Sequence, residues 1–538
     1  MSIGIVETTY GKAQGIEMEG RLSGLTMFKG IPYAAPPVGP LRWRPPQKPE
    51  PWDGVRVFDT YGPIEIQYQS QHPGGTLKER MSEDCLYLNV TTPARSAEEK
   101  LPVFVWMHGG GLTNGAAYHD EGWDPYSFAK RGNVVVSIGH RINIWGFMAL
   151  PQLSAEQGGK SGNYGVMDLA MAMEWIWDNI EKFGGDRNNI TAGGDSGGTQ
   201  KTCLMATIPA GGHHIRRIYN SSGLKWRQVP FQTVAEAEEA GKRYLEYMKI
   251  PVDTPLEELR AMDSWTIHGE VPRSVYPGEI IYDGDLIPLP SFPELFNAYL
   301  GDVDFINVTS QGESNVFATR GMSGALGSFT GQVPVTDRKS FYAFFKERLG
   351  DLYEKYDFEH LVSVTDEDAM YTAKLLGSIG AAELASNNHS RNNMVNRLFG
   401  VYMKQHHPNS KVFSVLWSHI SPDENMDYGT DHDPKHRMAN HCSDTRYIFD
   451  SLYQKPDVPW SETDKYYASI FGAYWNNFTH TGDVNGGDLP YWPETGDEYT
   501  YLEVGDSLIF HKGLESKVEE MIREYVLREY GIDKDIEL

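Results

Sequence analysis

Cysteine is scarce in this chain of 538 residues: there are three, Cys85, Cys203 and Cys442. Their separations match no metal-ligand spacing, and an odd, sparse set is not a secreted disulfide framework. It fits a reducing compartment better. Long apolar runs are missing as well. No stretch approaches the roughly 18 apolar residues of a membrane span. The first fifteen residues include Glu7 and Lys12 and no apolar run long enough for a signal sequence. The expectation is therefore a cytoplasmic protein, with Asn-x-Ser/Thr triplets such as those at Asn89 and Asn220 read as chance. Basic residues are outnumbered, 48 Lys and Arg against 73 Asp and Glu, for a formal charge of −25. That balance disfavours nucleic acid and anionic membranes as partners and leaves a small neutral or cationic molecule. There is no internal repeat, low-complexity tract or Pro/Gly/Ser linker, so one domain spanning 1–538 is expected. Aromatic residues, by contrast, are plentiful: 13 Trp, 30 Tyr and 22 Phe supply ample surface for a core.

Short strand-like runs broken by glycine open the chain, for example Leu25 to Tyr33, and a Pro-rich loop follows at Pro36 to Pro46. From about Leu101 the pattern becomes β-branched runs alternating with longer helical stretches. Val103 to Met107, Val134 to Ile138, Ile215 to Asn220, Asp304 to Val308 and Val412 to Trp417 are strand candidates. Leu169, Met173, Ile176, Ile180 and Phe183 fall on one face of a helix, as do Leu514, Val518, Met521, Ile522 and Tyr525, with Gly531 as a stop. Alternation of this kind predicts an α/β fold: a central, mostly parallel sheet flanked by helices, with an N-terminal antiparallel β region and helical insertions. In such sheets chemistry collects at the carboxyl ends of the strands.

Two glycine-rich segments sit where that rule puts chemistry. Gly194-Asp195-Ser196-Gly197-Gly198 has the form G-x-S-x-G, after a strand-like stretch and before a helical one, Thr199 to Ala206. The small flanking residues let a serine occupy a strained strand-to-helix turn with its hydroxyl exposed, which makes Ser196 the candidate nucleophile. His108-Gly109-Gly110-Gly111 follows directly on the strand ending at Met107. Its bare backbone N–H groups suit the negative oxygen of a tetrahedral intermediate. A phosphate-cradling loop would end in Gly-Lys-Ser/Thr, whereas Leu112-Thr113-Asn114 comes next. The expected donors are the amides of Gly110, Gly111 and Gly197.

With these segments the sequence resembles the type-B carboxylesterase family, which includes the cholinesterases and bile-salt lipases. Glu83-Asp84-Cys85-Leu86-Tyr87-Leu88-Asn89-Val90 is similar to one family signature. Phe183-Gly184-Gly185-Asp186 with Ile190 and the serine turn is similar to the other. Gly162-Asn163-Tyr164-Gly165 with Asp168, and Asn477-Phe478 with Thr481-Gly482-Asp483, add to the likeness, which runs from about residue 5 to about 500. The resemblance implies an α/β-hydrolase fold and ester hydrolysis by a Ser-His-acid triad, without cofactor or metal. Four departures stand out. Asp195-Ser196-Gly197 replaces the usual Glu-Ser-Ala, and Ala192 stands where a larger aliphatic is usual. Cys85 lacks the upstream partner with which the family's cysteine forms a disulfide. No Trp occurs between residues 53 and 84, where cholinesterases place a cation-binding one.

Serine needs a base, and the base a carboxylate that fixes its tautomer. Composition cannot choose among 73 acids, or among the ten histidines after residue 313. The resemblance places the acid at Glu313, in Thr309-Ser310-Gln311-Gly312-Glu313-Ser314, and the base at His441, in the segment Asn440 to Phe449. His432 and His436 have the spacing of helical metal ligands, but Pro434 between them argues for a loop. Ser221-Ser222-Gly223 resembles a family segment near the triad. Trp226, just beyond it, is either a wall of the acyl pocket or a core aromatic. The acidic residues Asp423, Glu424, Asp427, Asp431 and Asp433 precede His441 and, if they rim the site, would repel anionic esters at low salt. The reading is a serine ester hydrolase working through an acyl-enzyme. Its rivals are an inert binding protein of the same fold and an amidase or bulky aromatic-ester hydrolase on the same triad.

Overall fold

In the computed structural model, residues 2–67, 80–118, 123–224, 226, 230–269, 271, 275–314, 335–377, 379, 393–422, 438–532 and 536 are described. His432, His436 and the acids from Asp423 to Asp433 lie outside the described residues. The chain divides into two compact units, one of Met1–Ile218 with Val229–Gly301, the other of Tyr219–Gln228 with Asp302–Leu538.

The first unit contains β1 (Ile16–Glu17), β2 (Thr26–Pro32), β3 (Tyr87–Thr92), β4 (Leu101–Met107), β5 (Val134–Ile138), β6 (Gly185–Asp195) and the opening residues of β7 (Ile215–Ser221). Their order across the sheet is β7-β6-β4-β5-β3-β2-β1. The central trio β6-β4-β5 is parallel and the N-terminal strands pair antiparallel. β4 and β5 are buried along almost their whole length, which is why they read as unbroken apolar runs rather than alternating ones. Register decides where the site forms. Met107 is level with both Ile138 and Gly194, so the segments after β4 and β6 leave the sheet at one edge. Helix α1 (Tyr164–Asn179) buries Leu169, Met173 and Ile176 as its apolar stripe predicts, then tightens into a 3₁₀ turn that ends at Gly184. Helix α2 (Gly197–Thr207) packs on β6 and β4 and is buried on nearly every side.

In the second unit β8 (Asp304–Ser310), β9 (Val412–Trp417), β10 (Tyr501–Val504) and β11 (Leu508–His511) run in the order β11-β10-β9-β8. β8, β9 and β10 are parallel and β11 closes the edge antiparallel. Helix α3 (Asn393–His406) covers β9 and β8. Helix α4 (Glu462–Thr481) starts with a Ser461/Asp464 capping box and stops at Gly482, φ +77°. Helix α5 (Lys517–Tyr530) carries the C-terminal stripe and stops at Gly531. Leu514 falls outside α5 because the Ser516 side chain accepts from the Glu519 amide and fixes the start later. Short helices between Arg338 and Leu361 form an insertion held by Phe341, Phe345 and Phe358. No disulfide joins the three cysteines; Cys85 and Cys203 are buried and Cys442 is partly exposed.

Candidate active site

The serine turn is built from the strand end upward. β6 ends at Asp195 and α2 begins at Gly197, so Ser196 alone makes the reversal, at φ +51° and ψ −115°. A side-chain-bearing residue is rarely found there, and holding one costs on the order of 1–3 kcal/mol. The turn closes because glycine lies on either side. A β-carbon on Gly194 would come 2.5 Å from the Gly198 carbonyl carbon, and one on Gly198 would run into the Met107 carbonyl oxygen. Thr199 secures the turn by donating its amide (3.3 Å) and its hydroxyl (2.7 Å) to the Ser196 carbonyl. Ser196 thereby caps the positive end of α2.

The glycine loop after β4 is pressed against this turn. Gly110 and Gly111 both have positive φ, +80° and +65°. A β-carbon on Gly109 would lie 2.8 Å from the Asp195 carboxylate, and one on Gly197 would overlap the Gly111 backbone. The far end of the loop is tied down by Asn143, whose amide donates to the Leu112 carbonyl (2.7 Å). Gln67 exchanges two 2.8 Å bonds with the backbone of Gly115. The near end is held by Lys201 of α2, whose Nζ donates to the His108 carbonyl at 2.8 Å. Around that lysine lies a buried polar cluster. The His108 and His140 rings stack 4.8 Å apart, and Glu65 accepts from the His140 amide at 2.7 Å. Burial pushes the Glu65 carboxyl up to about 8, against the opposing pull of its backbone hydrogen bonds and of Lys201. Burial, with Lys201 nearby, holds His140 well below the usual imidazole range.

In the second unit the turn Gln311–Ser314 follows β8 and carries Glu313. Its Oε1 accepts from the Ser310 amide (3.3 Å), and Oε2 meets His441 Nδ1 at 2.7 Å. The Gly312 amide, bonded to the Ala439 carbonyl at 2.7 Å, keeps the two segments together. The Glu313 side chain is fully enclosed, while that of His441 keeps 12% of its surface exposed. The imidazole Nε2 is buried and accepts or donates no hydrogen bond among the described residues. Behind this pair the Ser222 hydroxyl accepts from the Cys442 amide (3.0 Å). Asp444 accepts from the Ser221 (2.6 Å) and Tyr219 (2.8 Å) hydroxyls. Burial pushes the Asp444 carboxyl up to about 7, with the Glu313 charge adding to the rise against the Ser221 and Tyr219 bonds.

The structure thus gathers Ser196, Gly110, Gly111 and Gly197 in one unit and Glu313 with His441 in the other. Trp226 is wholly buried against Phe399 and Tyr402, at ring separations of 5.4 and 5.0 Å. Sequence reasoning missed Lys201, Glu65 and Asp444. Nothing in a chain of this composition singles them out, because each is defined by partners remote in sequence.

The carboxylesterase family model matches residues 2–521. The chain belongs to the carboxylesterase family. It is a carboxylic ester hydrolase with the α/β-hydrolase fold. A fumonisin B1 esterase of Sphingopyxis macrogoltabida is 39% identical over 236 residues, which cover 44% of this chain and 42% of that protein. A medium-chain fatty acyl-CoA hydrolase precursor of Anas platyrhynchos is 27% identical over 93% of this chain and 88% of its own length. Liver carboxylesterase 1F of Rattus norvegicus is 26% identical, covering 93% and 90%. Among solved structures a PNB esterase superposes with a TM-score of 0.73 at 23% identity, covering 97% of this chain and 99% of that one. In this carboxylesterase two acids of the family-like motifs, Glu83 and Asp168, hold buried arginines. Glu83 holds buried Arg42 through bonds of 2.8 and 2.6 Å, and Asp168 holds buried Arg141 through bonds of 2.8 and 2.7 Å.

Proposed function

We propose that the enzyme cleaves neutral carboxylic esters by two-step acyl transfer on a Ser196–His441–Glu313 triad. His441 Nε2 takes the proton of Ser196 as its Oγ attacks the ester carbonyl. The amides of Gly110, Gly111 and Gly197 hold the resulting oxyanion. The protonated imidazole returns the proton to the leaving alcohol, and water then hydrolyses the acyl-enzyme with the same base. Glu313 fixes the proton on Nδ1 and stabilises the imidazolium. The observation that carries the reading is the 2.7 Å Glu313–His441 bond, which commits Nδ1 and leaves Nε2 as the basic nitrogen. The strained main chain at Ser196 supports it from the other side of the reaction. Relatives carry names as different as fumonisin B1 esterase and fatty acyl-CoA hydrolase, an oxygen ester and a thioester, so hydrolysis at an acyl carbonyl is the chemistry those names share. The formal charge of −25 favours neutral over anionic substrates. Trp226 is best read as a core aromatic rather than a pocket wall.

An organophosphonate should label Ser196 stoichiometrically. Ser196→Ala and His441→Ala should each lower kcat on a p-nitrophenyl ester by roughly 10⁴-fold or more. Undiminished hydrolysis by Ser196→Ala would end the proposal. A matched panel of esters and amides decides the preferred bond.

A further inference from the structure

A buried ammonium is an expensive occupant of a packed helix. Removing a charge of that kind from water is strongly unfavourable unless hydrogen bonds and charges compensate. Lys201 nevertheless sits in the middle of α2 with 1% of its surface exposed, among Thr199, Thr202 and Cys203, which are buried as fully. A leucine or methionine would fill such a position without that cost. The polar group must therefore be answering a need at that point. Its Nζ donates to the carbonyl oxygen of His108 at 2.8 Å.

The position of that carbonyl is what matters. His108 is the last residue before Gly109-Gly110-Gly111, and a run of glycines has no side chains with which to anchor itself. At its far end the segment is fastened to Gln67 and Asn143. At its near end Lys201 fastens it to the helix whose first residue follows Ser196. A charge-assisted hydrogen bond is about twice as strong as a neutral one. Here it joins the two pieces whose spacing sets how far the oxyanion donors stand from the attacking hydroxyl. Transition-state stabilisation by such donors depends on placement within a few tenths of an ångström.

We propose that Lys201 is a positioning residue for ester hydrolysis: its ammonium ties the helix that begins after Ser196 to the His108 carbonyl and so sets the amides of Gly110 and Gly111 against the nucleophile. The inference rests on the reading of Ser196 as that nucleophile. The bond from Lys201 acts on the His108 carbonyl and so on the placement of the loop, and its loss should affect the transition state and leave ground-state binding nearly untouched.

The test compares Lys201→Met and Lys201→Gln with the wild-type enzyme, with rates expressed per active site counted by phosphonate labelling, so that misfolded material drops out. For Lys201→Met, kcat on a p-nitrophenyl ester should fall 10- to 100-fold with KM within about threefold. A trifluoromethyl ketone, whose adduct places an oxyanion in the same hole, should weaken by the factor seen in kcat/KM. Lys201→Gln keeps an N–H donor on a shorter arm and should retain more activity than Lys201→Met. A purely structural lysine would lower the number of labelled sites and not the rate per site. Rates per site within twofold of wild type in the variants that fold, or equal losses in kcat and KM-dependent binding, would overturn the proposal. Ser196→Ala run in parallel separates the two readings. If it stays active, the nucleophile assignment falls and this inference with it; if it is inert while Lys201→Met is fully active, this inference alone falls.

Discussion

Glu313 spends one oxygen on the Ser310 amide and the other on His441 Nδ1, so its carboxylate is committed on both sides. Glu313→Gln keeps the shape but can put an N–H donor against Nδ1, which drives the imidazole to the tautomer whose Nε2 carries the proton and cannot act as a base. The expected result is a kcat lower by roughly 10³- to 10⁴-fold with KM little changed, measured in steady state; a loss under tenfold would remove Glu313 from the mechanism. Gly197 gives a second residue-scale prediction. The family usually has alanine after its serine, but here a β-carbon at 197 would overlap the Gly111 backbone. If the Gly197 amide holds the oxyanion as proposed, Gly197→Ala should displace it and lower kcat by about 10²- to 10³-fold. Retained kcat would mean that the loop yields without harm.

Helices and strands met the sequence expectation unevenly, and the reason differs at each end of an element. β5 and β9 have the bounds read from their apolar runs, since both faces of each are buried. The start of α5 was set by a side-chain cap that periodicity does not register. Its attachment to the unit depends on a pair that no local pattern shows. Arg397 of α3 is fully buried and its Nη1 meets Glu519 of α5 at 2.5 Å. The same guanidinium donates to the Gly513 and Tyr499 carbonyls and lies 4.7 Å from the Tyr501 ring centre. Glu519→Gln leaves that buried cation without its counter-charge, and stability should drop by about 3–5 kcal/mol. Urea unfolding monitored by circular dichroism reads this directly; a change below ~1 kcal/mol would mean that the carbonyls and the ring suffice.

For the molecule as a whole, stability should depend on pH in a direction set by two enclosed carboxyls, one in each unit. Burial raises Glu65 to about 8 and Asp444 to about 7, while both titrate near 4 in an unfolded chain. Between those values the folded protein keeps protons that the unfolded chain has released, so stability falls as pH rises from about 4 toward 8. Each group contributes a change on the order of a few kcal/mol. Self-repulsion of a chain with net charge −25 acts in the same direction but is shared by single variants. Glu65→Gln and Asp444→Asn should therefore show a shallower loss of urea stability between pH 5 and pH 8 than the wild type. Parallel curves would mean that these carboxyls are ionised in the folded protein.

By itself the sequence determined what depends on neighbours in the chain: the strand and helix series, and the glycine settings of Ser196 and of the 109–111 loop. Those signals are local, because apolar periodicity and the conformational freedom of glycine act over a few residues. The family resemblance named Glu313 and His441, but only tertiary structure put those two side chains 2.7 Å apart, buried Lys201 beneath the glycine loop and set Asp444 between two hydroxyls. Desolvation and hydrogen bonding depend on distance through space, and chain spacing does not set that distance until the sheet has formed.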